Sequence, residues 1–73
     1  MEVSLTTNVD LQVGDILKYL GTRPNILGII TKIAASEMEI GQMCYDVFWV
    51  DGIVSKNFIL SHKNRELFNL VKR

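Results

Sequence analysis

Cys44 and His62 are the only cysteine and the only histidine in this chain, and a thiolate with an imidazole base is the one nucleophilic pair they could form. Cys44 opens a strongly apolar segment, whereas His62 sits in the polar run Ser61-His-Lys-Asn-Arg-Glu66. The two therefore fall on separate segments, with no third polar group marked out to orient the base. The expectation is a protein that is not an enzyme, with Cys44 as a small core residue and His62 solvated. One Cys and one His cannot close a four-coordinate zinc site, and no Asp/Asn cluster has the spacing of a calcium loop. Gly14, Gly21, Gly28, Gly41 and Gly52 each suit a turn or a bulge, and none belongs to a glycine-rich loop with a lysine that could cradle phosphate. No catalytic residue, metal, cofactor or small-molecule substrate is expected.

The charged residues offer a different chemistry. Eight acidic and eight basic side chains cancel over 73 residues, which argues against binding nucleic acid by bulk charge. Their order along the chain is uneven. Glu37, Glu39, Asp46 and Asp51 make residues 34–52 acidic, while Lys56, Lys63, Arg65, Lys72 and Arg73 against Glu66 make residues 53–73 basic. Those five cations, with His62 and a Tyr19 or Phe58 ring beside them, have the composition of a phosphate-and-base contact. Charges that keep a small domain soluble, and rings that fill its core, account for the same residues.

Elements must position these groups, and the composition allows them. The chain is 48% hydrophobic and 22% charged, enough apolar material for a packed core. A lone cysteine excludes an internal disulfide, and no apolar run approaches the ~18 residues of a membrane span. A cytoplasmic setting is expected, with no membrane partner. Residues 1–12 alternate loosely and form either an N-terminal arm or an extra edge strand. Strands are then expected over 13–20, 26–33, 44–50, 53–60 and 67–71, with Gly21-Thr-Arg-Pro-Asn25 and Asp51-Gly52 as turns. Residues 34–43 read as a loop or one short turn. Asp51-Gly52 predicts a two-residue type I′ hairpin. The odd spacing of Ile30 and Ile33 predicts a bulge near Thr31 and Lys32. Gly28, between apolar neighbours, predicts the close approach of a backbone or a bulky ring. The predicted core is Leu17, Ile30, Ile33, Val47, Trp49 and Leu70.

Val13-Gly-Asp-Ile-Leu-Lys18, then Gly21 and Gly28-Ile-Ile-Thr-Lys-Ile33, resemble the opening of the SH3-like barrels, and among them the KOW-type segment of ribosomal proteins and transcription elongation factors. Tyr45-Asp-Val-Phe-Trp-Val-Asp-Gly52 and Glu66-Leu-Phe-Asn-Leu-Val71 are similar to small uncharacterised barrel proteins of tailed bacteriophages, including marine ones. The first resemblance implies contact with RNA or protein through basic loops; the second implies no defined activity. The loop that matches the KOW turn carries Arg23 as its one cation, a departure from the KOW pattern.

The fold expected from these readings is all-β, a small five-stranded antiparallel SH3-like barrel over 13–73 with a short N-terminal extension. On the strand 44–50 both faces are apolar, and a domain this small has little material to cover both. Phe48, Val50, Ile53 and Ile59 are accordingly the candidate protein interface, covered by a partner or a second copy of the chain, with an N-terminal arm folded back over its own barrel as the alternative cover. The expected function is non-enzymatic protein interaction, as a virion component or modulator if the chain is phage-encoded, which would place it in the host cytoplasm or the virion. The alternative is a KOW-like nucleic-acid module using Lys56, Lys63, Arg65, Lys72 and Arg73.

Overall fold

The computed structural model describes residues 1–7, 9–38, 40–61 and 63–71. Six strands alternate with turns: β1 (Glu2–Ser4), β2 (Ile16–Tyr19), β3 (Ile26–Ala35), β4 (Met43–Trp49), β5 (Val54–Ile59) and β6 (Phe68–Val71), with a single 3-10 turn at Arg65–Leu67 before the last. They form one antiparallel sheet in the order β1-β6-β2-β3-β4-β5. No helix among the described residues is long and apolar enough to cross a membrane.

The five-stranded closed barrel expected from the sequence does not form. Residues 2–4 add a sixth strand by pairing with β6, through Glu2↔Val71, Val3↔Leu70 and Ser4↔Asn69, so the N-terminal segment is an edge strand. At the other end β5 pairs with β4 alone, and among the described residues no ladder joins it back to the sheet. Two local features oppose closure there. Asn57 has a positive φ of 54° in a bulge where Lys56 and Asn57 face the single residue Asp46, and its N–H donates to Asp46 Oδ1 at 3.0 Å. The amide of Asn64 occupies the Ile59 carbonyl at 3.1 Å. A bulged edge whose last acceptor is taken is a poor template for another strand.

Val13 does not begin the second strand. Residues 12–15 form a turn in which Gln12 N–H donates to Asp15 Oδ2 at 2.8 Å and Asp15 N–H to Gln12 O at 3.0 Å, with Gly14 at φ +94°. A side-chain carboxylate that caps its own turn competes with extended pairing. The turn is then clamped to β3, since Gly14 N–H donates to Ile30 O and Ile30 N–H to Asp15 O. Strand β3 runs past Ile33, because Ala34 and Ala35 pair with Cys44 and Met43. Partner strands supplied what alanine's weak β preference lacks. The predicted bulge is present: the register shifts between Ile30 and Lys32, and the Thr31 hydroxyl donates to Asp46 O.

The β4–β5 hairpin turns at Asp51-Gly52, but through three residues rather than a type I′ pair. Gly52 N–H donates to Trp49 O and Trp49 N–H to Ile53 O, both at 2.9 Å. Gly52 has a φ of +91° and Asp51 does not enter the left-handed region. That is a type I turn closed by a glycine bulge.

Among the described residues the core is Leu5, Leu17, Ile30, Val47, Trp49, Leu60, Phe68 and Leu70. Ile33, predicted as core, is half-buried at its edge. Leu5 is fully buried although the N-terminal segment carries little strand signal; its N–H donates to Phe68 O at 3.1 Å and its carbonyl accepts from Arg65 Nη1 at 3.3 Å. Outside the core, Lys18 Nζ donates to Glu2 Oε2 and Asn69 Nδ2 to Glu2 Oε1, each at 3.0 Å, tying β1 to β6 and β2.

Candidate functional site

Two surfaces emerge from this sheet, one on each face. Residues directly opposite each other in a sheet point to the same side. The register aligns Val71, Ile16, Ile29, Phe48 and Val54 in one row across β6, β2, β3, β4 and β5. This row lies on the face opposite Leu17, Ile30 and Val47. Ile16 and Val71 are half-buried, whereas Ile29, Phe48 and Val54 are 41%, 49% and 49% exposed. Leu27, two residues before Ile29, lies on the same face of β3, and exposed Val50 is held beside it by a 2.9 Å bond from its N–H to Leu27 O. In the other direction the row is bounded by Lys32, which pairs with Asp46.

The four candidate interface residues are thus divided. Phe48 and Val50 belong to the outer apolar face. Ile53 is exposed but lines the groove described below. Ile59 is half-buried and pairs with Cys44 beyond the Lys32 and Asp46 belt. The Cys44 thiol is half-buried and donates to Ala34 O at 3.5 Å. His62 lies outside the described residues. Among those described, no group of three or more His, Cys, Asp and Glu side chains is placed to hold a metal ion.

The cationic candidates are not gathered. Lys56 is exposed on the β5 bulge and Lys63 is exposed in the turn after β5. Arg65 is half-buried and spends Nη1 on the Leu5 carbonyl. Lys72 and Arg73 lie outside the described residues. Tyr19 and Phe58, the rings considered for stacking on a base, are half-buried against the core instead.

The second surface had no counterpart in the sequence reading. Where the sheet stays open, Tyr19, Ile26, Trp49, Asp51, Ile53, Ser55, Phe58, Asn64, Leu67 and Phe68 line a groove of about 330 Å³. Four of the chain's six aromatic residues meet there. Phe68 is the hub, its centroid 5.2 Å from Tyr19, 5.3 Å from Phe58 and 6.1 Å from Trp49. Tyr19 and Trp49 stand edge to face at 60° and 6.3 Å.

Local sequence holds these rings in place. Gly28 lies under the Trp49 indole, where a Cβ would come within 2.5 Å of Cε3, and Trp49 Nε1 donates to Ser55 Oγ at 3.0 Å. Gly21 lies under the Tyr19 ring in the same way. The polar groups at the groove include donors and acceptors. Asp51 Oδ1 accepts from Ile53 N–H at 3.1 Å, and Asn64 Oδ1 is buried without a hydrogen-bond partner. Among the described lining residues there is one carboxylate and no lysine or arginine. The only local hint in the sequence is the glycine two residues after Tyr19 and another placed opposite a tryptophan.

No protein-family model matches the chain, and neither curated proteins nor solved structures show a significant match to it.

Proposed function

We propose that this chain is a non-enzymatic protein-interaction module that pairs with a second copy of itself through the outer face of the sheet. The observation that carries the reading is the uninterrupted apolar row from Val71 to Val54, with Leu27 and Val50 beside it. A single row of Ile, Phe and Val side chains is self-complementary about a two-fold axis, and a chain of zero net charge has little self-repulsion to resist pairing. The strand order β6-β2-β3-β4-β5 with a 3-10 turn before the last strand supports taking the sheet as an opened SH3-like barrel. The likeness of Tyr45–Gly52 and Glu66–Val71 to small tailed-phage proteins supports a role as a phage virion component or modulator. Exposed Lys56 and Lys63 favour nucleic acid as a second reading, for which binding to short oligonucleotides must weaken steeply with salt.

Light scattering over a concentration series tests the pairing. The wild-type chain is expected to give a dimer that dissociates on dilution, and Phe48→Asp a monomer with unchanged far-UV circular dichroism. A wild-type chain that stays monomeric at high concentration refutes it.

A further inference from the structure

We infer that the second copy lies antiparallel on the outer face, so that the β3–β4 hairpin tip of each copy reaches the 21–25 turn of the other and Glu37 meets the partner's Arg23. This orientation rests on the pairing proposed above.

Sheets packed face to face keep their strand directions within about 30° of each other. Two copies related by a two-fold axis therefore stack in one of two ways. An axis along the strands lays each end of the face on the same end of the partner, and an axis along the apolar row lays opposite ends together. The two ends differ in charge. Beyond Leu27 the face ends at the turn that carries exposed Arg23. Beyond Lys32 and Asp46 it ends at the hairpin tip, where Glu37 is exposed and Glu39 follows in the sequence. Asp51, at the same end as Arg23, lines the groove on the opposite side of the sheet. Neither Arg23 nor Glu37 forms an ion pair among the described residues. The axis along the strands sets Glu37 against Glu37 and Arg23 against Arg23. The axis along the row pairs each with its opposite, twice, and complementary charge of this kind fixes register.

Spacing and shape agree with that choice. Arg23 stands six residues before Ile29 and Glu37 eight after it, and the bulge between Ile30 and Lys32 takes up one of the eight. An axis along the row through Ile29 thus brings the two charges to matching heights. The tip also leans toward the partner, since Glu37 and Met38 share a hollow of about 400 Å³ with Lys32, Cys44 and Ile59 of the outer face. Its form is held by bonds from Ser36 N–H to Gln42 O at 2.8 Å and from Met38 N–H to Ser36 Oγ at 3.2 Å. Met38 and Ile40, almost wholly exposed in a single copy, come to lie beside the partner's exposed Leu27 and Val50.

Sedimentation equilibrium of charge variants tests the orientation, with far-UV circular dichroism confirming that each is folded. Glu37→Arg and Arg23→Glu are each expected to weaken the dimer roughly tenfold, because two contacts per dimer turn from attraction to repulsion. The double variant, in which the charges have exchanged places, should return to within about twofold of the wild type. In the other stacking, like charges face each other in all four proteins, and no variant would differ from the wild type. A wild-type dimer with indifferent single variants, or a double variant that stays weak, overturns the orientation and leaves the pairing standing. A wild-type chain that is monomeric at high concentration refutes the pairing and the orientation with it.

Discussion

Gly28→Ala is the most direct test of how the core and the groove depend on each other. Gly28 is buried, and a methyl group there would stand 2.5 Å from Trp49 Cε3, 2.8 Å from Trp49 Cδ2 and 2.8 Å from Val47 Cγ1. Gly28 does not occupy the left-handed region, so alanine fits the backbone and the cost comes from overlap alone. Neither neighbour can yield freely: Val47 is fully buried, and Trp49 is 6% exposed with its indole N–H bonded to Ser55. Overpacking a core by a methyl group typically costs 1–3 kcal/mol, and displacing the indole from Ser55 adds about 1 kcal/mol. The lower entropy of the unfolded alanine chain offsets roughly 0.5–1 kcal/mol. The expected loss is about 2 kcal/mol, which for a domain of this size lowers Tm by roughly 8–16 °C. Trp49 is the only tryptophan, so its emission should shift to the red in the same variant. Combining the change with Trp49→Phe should cost less than the sum of the two single changes, because the nearest colliding atom, Trp49 Cε3, is removed while the Val47 contact stays. An unchanged or raised Tm with unaltered tryptophan emission would refute the packing argument.

Two further perturbations address the sixth strand. The Asn69 amide, and after it the Lys18 ammonium, hold the Glu2 carboxyl below the usual carboxylate range. A group whose folded pKa is depressed stabilises the fold above its unfolded pKa and loses that contribution as the pH falls through the folded one. Acidification below the ordinary carboxylate range should therefore lower the amide protection factors in β1, the exchange rates being corrected for their intrinsic pH dependence, and Glu2→Gln should remove that change; wild-type protection factors that do not vary with pH count against it. Leu5→Ala, at a fully buried site, is expected to cost about 3 kcal/mol, read as a lower urea midpoint, whereas a dispensable arm would leave the midpoint unmoved.

Much of the central sheet was legible because its signals are local. The Ile30 and Ile33 spacing announced the bulge, Gly28 announced the approach of a ring, and Asp51-Gly52 announced a turn, although a three-residue one. Leu17, Ile30, Val47, Trp49 and Leu70 follow from strand alternation and are all buried. Leu5, Leu60 and Phe68 do not, since each is buried by segments distant in sequence. Leu5, for example, is secured by Phe68 and Arg65. Composition marks out the cationic set but does not reveal that Arg65 is spent on a backbone carbonyl.

By itself the sequence determined an all-β domain, the hairpins and most of the central core, because period-two alternation and turn chemistry act between near neighbours. Tertiary structure alone decided that the sheet has six strands and stays open. It also decided that Val71, Ile16, Ile29, Phe48 and Val54 fall in one row, and that four rings converge beside Asp51 and Asn64. Those outcomes depend on register and on bulges, and one bulge shifts every later residue relative to its neighbours. An alignment of that kind exists only once the strands have paired.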